Sequence, residues 1–180
     1  ATITSETRGR ALETLCHDYW YPLYAFLRRS GKSEEDAKDL TQGFFVRFLE
    51  REDFKRANPD KGRFRSYLLK ALKNYVANEW RKENAAKRGG QARTFSLDVD
   101  PEEQYGREPA NSLTPELLYE KSWASALLDR VFAKLGEEFA ESGKEELYQS
   151  LRPHLTGGAR GETYAEVGAR HGLSEGAITM

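Results

Sequence analysis

The segment from Phe64 to Arg88, FRSYLLKALKNYVANEWRKENAAKR, predicts one helix with two different faces. At 100° per residue, most apolar side chains gather on one side of such a helix. That side carries Leu68, Leu72, Tyr75, Val76 and Glu79. An aromatic ring, two cations and two carboxamides share another face, about a quarter of the circumference wide. This polar face consists of Tyr67, Lys70, Asn74, Asn78 and Arg81.

Further cations extend the polar face at both ends. They are Arg63 and Arg65 before it, and Lys82, Lys87, Arg88 and Arg93 after it. Cations alone would serve phosphates, whereas rings and carboxamides can stack on exposed bases and hydrogen-bond to them. Phe64, Tyr67 and Trp80 are interleaved with the basic run. The combination favours a nucleic-acid partner over a basic face that is merely solvated.

Helical spacing continues towards the N-terminus, and strand signals are nearly absent. Apolar residues recur at intervals of three and four from about Arg10 to Arg29, where Pro22 predicts a kink or break. Ser33, followed by three carboxylates, marks the start of a second helix. The composition of residues 58–62 predicts a turn before the third helix.

The C-terminal half also has helical spacing. Thr114 and Pro115 mark the start of a long helix, and a shorter helix is expected around 144–154. Two short segments, 163–171 and 174–180, are separated by Gly172. They have the layout of a helix-turn-helix, with Leu173 expected to pack between the helices and Ser174 to cap the second. A pair of short helices without DNA-binding activity remains the alternative.

Residues 84–115 are rich in Gly, Pro and polar side chains, which predicts a linker. We therefore expect an all-α protein with two helical domains, 8–88 and 114–180, joined by a flexible linker at 89–113. The net charge of the chain also changes sign within this linker. Residues 1–93 hold 20 basic and 13 acidic side chains (+7), and residues 94–180 hold 8 and 16 (−8). The total of −1 thus hides a basic half that suits nucleic acid.

Several classes of protein are not expected from this sequence. No apolar stretch approaches the roughly 20 residues of a membrane span, and a secretory signal is not evident. The single Cys16 cannot form an internal disulfide, and no Cys/His cluster has the spacing of a zinc site. We expect a cytoplasmic protein that is not inserted in a membrane, is not an enzyme, and needs no cofactor or metal.

Three stretches resemble bacterial sigma factors of the extracytoplasmic-function (ECF) subfamily, the promoter-recognising subunits of RNA polymerase. Residues 36–49, DAKDLTQGFFVRFL, resemble the region 2.2 helix, which binds the clamp helices of the polymerase β′ subunit. Residues 62–74, followed by Arg81 and Lys82, resemble the region 2.3–2.4 helix, which opens and reads the −10 element. Residues 163–179 resemble the region 4 helix-turn-helix, which reads the −35 element.

The resemblance implies a sigma factor that directs RNA polymerase to promoters and assists DNA melting. The implied partners are the polymerase core (β′ clamp helices and β flap), promoter DNA and an anti-sigma factor. The implied polymerase-binding residues are Asp39, Leu40, Gln42 and Phe45. The expected −10 contacts are Arg63, Phe64, Arg65, Tyr67, Lys70, Asn74, Asn78, Trp80, Arg81 and Lys82. Among these, Asn74 matches the asparagine associated with the flipped non-template base. The expected −35 contacts are Ser174, Glu175, Gly176, Ala177 and Thr179.

The chain departs from the family pattern at several positions. Gly43 stands where an acidic residue is usual, Gly168 replaces an Ala, and His171 replaces a Leu. The sequence ends at Met180, early in the expected recognition helix, which predicts a truncated region 4 without working −35 recognition. Gly43 and the acidic C-terminal half support an alternative function, a sigma-like protein-interaction module or regulator that has lost promoter recognition.

Overall fold

The computed structural model describes residues 5–58, 60, 62–85, 100–108, 113–156 and 162–179. The side chains of 5, 8, 83–85, 175 and 179 are outside this description. Within the described ranges the regular secondary structure is entirely helical, which confirms the predicted all-α class. The helices are α1 (Ser5–Arg29), α2 (Glu34–Glu50), a 3-10 helix (Asp53–Arg56), α3 (Phe64–Ala85), α4 (Pro101–Gly106), α5 (Pro115–Glu141), α6 (Glu145–Leu155), α7 (Tyr164–Arg170) and α8 (Glu175–Thr179).

The chain forms two compact units, Ala1–Ala126 and Leu127–Met180, and the division falls within α5. The sequence placed a domain boundary earlier, at Thr114. The first unit is built around a core of aromatic and aliphatic side chains from α1, α2, α3 and α5. Its buried members are Leu23, Tyr24, Phe26, Leu27, Ala37, Phe44, Phe45, Phe48, Leu68, Leu72 and Tyr119.

The sequence predicts a kink or break at Pro22, but helix α1 runs through this residue without a break. Proline removes one backbone donor from a helix and usually costs about 3 kcal/mol there. Pro22 is fully buried, next to Leu23 and Tyr24 in the core. Packing of this part of α1 against the core therefore outweighs the local preference for a break.

Helix α2 begins where the sequence predicts. Its cap is Ser33, whose hydroxyl oxygen accepts a hydrogen bond from the Asp36 amide at 3.1 Å. The buried residues Ala37, Thr41, Phe44, Phe45 and Phe48 form its inner face. The 3-10 helix follows, and then α3, whose apolar side packs on α2 through the Phe44 and Tyr75 rings. This arrangement leaves the polar face of α3 beside the end of α2.

Residues 100–108 correct the prediction of a flexible linker for this part of the chain. They form α4 and contact α1, where the Glu102 carboxylate accepts hydrogen bonds from the Arg28 guanidinium at 2.6 and 2.9 Å. The Tyr24 hydroxyl also donates to Glu102, and the Arg28 guanidinium lies 5.0 Å from the ring centroid of Tyr105. The sequence predicted a flexible linker here because it did not reveal Arg28 as a partner for Glu102. The rest of the predicted linker, apart from 113, lies outside the described residues.

The start of α5 also belongs to the first unit. Thr114 caps it as predicted, accepting a hydrogen bond from the Leu117 amide at 3.2 Å. Tyr119 is fully buried, and its hydroxyl donates to the Arg65 carbonyl oxygen at 2.8 Å. Lys73 pairs with Glu116 at 2.7 Å. The core of the first unit is therefore completed by residues beyond the predicted linker.

In the second unit, the end of α5 packs on α6 through Tyr148. The Tyr148 ring lies 5.7 Å from that of Phe139, and its hydroxyl donates to the Phe132 carbonyl oxygen at 2.5 Å. Helices α6 and α7 meet where the His154 and Tyr164 rings stack 4.6 Å apart.

Candidate nucleic-acid interface

A cleft of about 330 Å³ lies beside the polar face of α3. Its walls come from the end of α2, the 3-10 helix and α3. Four of the five residues predicted for the polar face line it: Tyr67, Lys70, Asn74 and Asn78. The fifth, Arg81, is exposed on α3 and is not part of the cleft lining. Spacing alone thus identified residues that the structure brings together.

Tyr67 forms a fixed wall of this cleft. Its hydroxyl donates a hydrogen bond to the Asp53 carbonyl oxygen at 2.7 Å. Its ring lies 6.2 Å from that of Phe64 and 6.4 Å from that of Phe48, measured between centroids. Burial, and secondarily the Asp53 carboxylate, raise the pKa of Tyr67 above its ordinary value. Tyr67 therefore contributes a neutral ring held in one orientation.

Three arginines that the sequence did not single out complete the cleft. Arg47 and Arg51 come from the end of α2 and Arg56 from the 3-10 helix. The Arg47 guanidinium lies 5.6 Å from the centroid of the Tyr75 ring, and Arg56 pairs with Asp53 at 3.0 Å. Arg47 and Arg51 are four positions apart, about one helical turn, so the sequence could have predicted that both side chains lie on the same side of the chain. With Lys70, four cations surround two carboxamides and a ring.

The remaining residues predicted to contact the −10 element lie elsewhere. Arg65 pairs with Glu120 at 2.5 Å, and its guanidinium lies 4.3 Å from the centroid of the Trp123 ring. It therefore attaches α5 to α3. The Phe64 ring packs edge-on against Tyr19 at 5.8 Å. Outside the cleft, Arg63, Arg81, Lys82 and Trp80 are exposed.

The predicted polymerase-binding residues divide between surface and core. Asp39 is exposed, and Leu40 is half-buried against the core. Gln42 is half-buried, and within the described part of the chain its Nε2 atom has no hydrogen-bond partner. Phe45 is only 4% exposed and packs against the Phe44 ring. Truncation of Phe45 would thus affect the fold as well as any contact with a partner.

The predicted −35 residues belong to the turn and helix at the end of the chain. Gly172 has φ +66° at the turn between α7 and α8, and Ser174 caps α8 by accepting from the Ala177 amide at 3.3 Å. Gly176 and Ala177 are exposed, and the side chains of Glu175 and Thr179 lie outside the description. Leu173 is exposed rather than buried between the helices, because its backbone folds against α7.

The structure explains why residue 168 is a glycine. A Cβ atom there would lie 2.7 Å from the Leu173 carbonyl oxygen, closer than real Cβ contacts. The Leu173 amide also donates to the Gly168 carbonyl oxygen at 2.8 Å. The close approach of the turn to α7 therefore requires a residue without a side chain.

The described residues also bear on metal binding, membrane insertion and thiol chemistry. No group of three or more His, Cys, Asp or Glu side chains there could hold a metal ion. Among these residues, no helix combines the length and the apolar character needed to cross a membrane. Cys16 is half-buried, and burial together with Glu13 raises its pKa to about 11, so its thiolate is disfavoured at neutral pH.

Basic side chains, an ordered aromatic ring and carboxamides in one cleft are typical of proteins that bind single-stranded nucleic acid. Residues 17–86 match the family model of sigma-70 region 2. This match shows a segment similar to sigma-70 region 2, which covers α2, α3 and the second half of α1. No curated protein and no solved structure matches the chain.

Proposed function

We propose that the chain is a sigma factor that directs RNA polymerase to promoters and assists melting of the −10 region. The cleft around Asn74 supports this proposal most directly. It lies within the segment that matches sigma-70 region 2, and it joins groups suited to phosphates with groups suited to bases.

In the proposed mechanism, a base leaves the duplex stack and enters the cleft. Unstacking costs a few kcal/mol, which new contacts must offset. The Tyr67 ring would stack on the base, and each such stacking contact contributes about 1–3 kcal/mol. Asn74 and Asn78 would hydrogen-bond to base edges, while Lys70 and the arginines attract the backbone. The polymerase supplies the chemistry of RNA synthesis.

The finer assignments belong to the same proposal. We assign the chain to the ECF subfamily, and we propose that Asp39, Leu40 and Gln42 contact the β′ clamp helices. Residues 163–179 are proposed to be a helix-turn-helix that approaches the −35 element and the β flap. An anti-sigma factor is a further proposed partner, and the cytoplasm, where the polymerase acts, is the proposed location.

Substitution of Asn74 tests the proposed function. We expect Asn74→Ala to bind core polymerase like the wild type but to open promoters less well. Permanganate reactivity of −10 thymines, or fluorescence of 2-aminopurine at −10, measures opening. Arg107→Ala is a control, because Arg107 is exposed just after α4 and its side chain pairs only with Glu103 among the described residues. Unchanged opening by Asn74→Ala would contradict the proposal.

The alternative, an interaction module that does not read promoters, predicts a different result with the wild-type chain. A protein that contacts several phosphates loses affinity steeply as salt rises. A flat dependence of affinity on salt for −10 single-stranded DNA, combined with normal binding to core polymerase, would favour the interaction module.

A further inference from the structure

Trp80 does not line the cleft around Asn74. It is 61% exposed and borders a second cleft of about 260 Å³ between α2 and α3. The residues of this second cleft are Lys32, Asp36, Asp39, Leu40, Tyr75, Val76, Glu79 and Trp80. Six positions separate Trp80 from Asn74, which places their side chains about 120° apart around α3. The Trp80 ring therefore faces away from the side of α3 that lines the first cleft.

The second cleft has the opposite charge from the first. Asp36, Asp39 and Glu79 face it, with Lys32 as its cation. Glu79 is already paired with Lys82 at 2.7 Å and with Arg47 at 3.6 Å. In the described part of the chain, Asp36 and Asp39 form no ion pair. Two carboxylates beside an exposed indole repel a phosphate backbone but attract cationic side chains.

We propose that Trp80 is an anchor of the polymerase-binding surface and makes no contact with DNA. This inference rests on the proposed function, in which Asp39 and Leu40 bind the polymerase core. The occupant of the second cleft is a helical segment of the core that carries Arg or Lys beside apolar residues. Its cations pair with Asp36 and Asp39, and its apolar residues pack on Leu40, Val76 and Trp80.

The chemistry of the indole suits this role. Trp is enriched among the few interface residues that carry most of the binding energy. Its face also attracts a guanidinium or ammonium group, more strongly when water is excluded. An exposed Trp next to unpaired carboxylates therefore offers a basic helix both an apolar contact and a cation site.

Residue-specific footprinting of the wild-type chain tests the assignment directly. Hydroxyl-radical oxidation of each Trp is measured by mass spectrometry for the free chain, with core polymerase, and with −10 single-stranded DNA. We expect core polymerase to reduce oxidation of Trp80 at least threefold and DNA to leave it unchanged. Trp20 and Trp123, which are partly buried in the free chain, serve as internal references. Protection of Trp80 by DNA, or its lack of protection by core, would overturn the proposal.

A pair of substitutions gives an independent measurement. Trp80→Ala should weaken binding to core polymerase by roughly tenfold or more, whereas Trp80→Phe should retain most of the affinity. Both variants should bind −10 single-stranded DNA like the wild type, and circular dichroism confirms that they fold. Equal affinity of Trp80→Ala and the wild type for core would contradict the inference, as would weaker binding to DNA. Failure of the wild type itself to bind core would instead contradict the proposed function.

Discussion

The phenolic oxygen of Tyr75 occupies the space that a side chain at Gly43 would need. Gly43 lies within α2, where glycine costs about 1 kcal/mol relative to alanine. Tyr75 projects from α3, with its ring 5.9 Å from that of Phe44. The missing acidic residue at position 43 is thus explained by packing between α2 and α3.

We expect Gly43→Ala to lower the free energy of unfolding by about 1 kcal/mol, because crowding of Tyr75 exceeds the gain in helix propensity. In a Tyr75→Phe background the obstructing oxygen is absent, so the same change should stabilise the protein by up to about 1 kcal/mol. Urea unfolding of the four proteins in this double-mutant cycle measures both effects. The same sign of change in both backgrounds would contradict the packing explanation.

Arg51 and Arg56 should act through phosphates, because both line the cleft of Asn74. We expect each Arg→Ala change to reduce the slope of log affinity against log salt by about 1 for −10 single-stranded DNA. Fluorescence anisotropy at several salt concentrations measures this slope. Arg107→Ala removes an equal charge just after α4, from a residue that does not line the cleft, and should leave the slope unchanged. Equal slopes for all three variants would show that the cleft does not hold the DNA backbone.

Phe45 and Asp39 should differ in how their substitution affects binding to polymerase. Phe45→Ala removes a buried ring and should cost about 3–5 kcal/mol of stability. Asp39→Arg changes an exposed side chain, so stability should stay within about 0.5 kcal/mol while binding to core weakens. Thermal unfolding and co-purification with core distinguish these effects. Normal stability of Phe45→Ala would contradict its place in the core.

Glu102 should make the first unit sensitive to acid. Hydrogen bonds from Arg28, and also from Tyr24, hold the pKa of Glu102 below its ordinary value despite partial burial. A lowered pKa gives stability that is present above the unfolded-state pKa of about 4.3 and lost as pH falls through the folded-state pKa. We expect Glu102→Gln to cost roughly 1–3 kcal/mol at pH 7, since charged hydrogen bonds are replaced.

That cost should begin to shrink as pH falls below about 4.3, where Glu102 of the unfolded chain becomes protonated, and it should continue to shrink as pH falls through the lower folded-state pKa. Glu103→Gln is the matched control, because Glu103 is exposed and pairs only with Arg107 among the described residues. It should change stability by less than about 0.5 kcal/mol at either pH. A cost for Glu102→Gln that is independent of pH would show that the ion pair with Arg28 does not stabilise α4.

Local signals allowed much of the fold to be predicted. Ser33 and Thr114 cap their helices as expected, since a hydroxyl cap needs only the adjacent turn. The shared face of Tyr67, Lys70, Asn74 and Asn78 followed from helical geometry. Pro22 shows the limit of prediction from local signals. The helix continues through it because this part of α1 is packed in the core.

Contacts between distant parts of the chain could not be predicted. Glu102 lies 74 positions from Arg28, and Glu120 lies 55 positions from Arg65. By composition, residues 100–108 look like a solvated acidic segment. Their packing against α1 becomes clear only when the position of Arg28, the partner of Glu102, is known. The contribution of Arg47, Arg51 and Arg56 to the cleft was missed for the same reason, since they come from different elements than Asn74.

The burial of Tyr119 determines when the first unit can finish folding during synthesis. Its hydroxyl bonds to Arg65, which is made 54 residues earlier. At about 5–20 residues per second, a ribosome needs roughly 3–10 s to cover that interval. In the part of that interval after Ala85, α1, α2 and α3 have been translated but lack the side chain that closes their core.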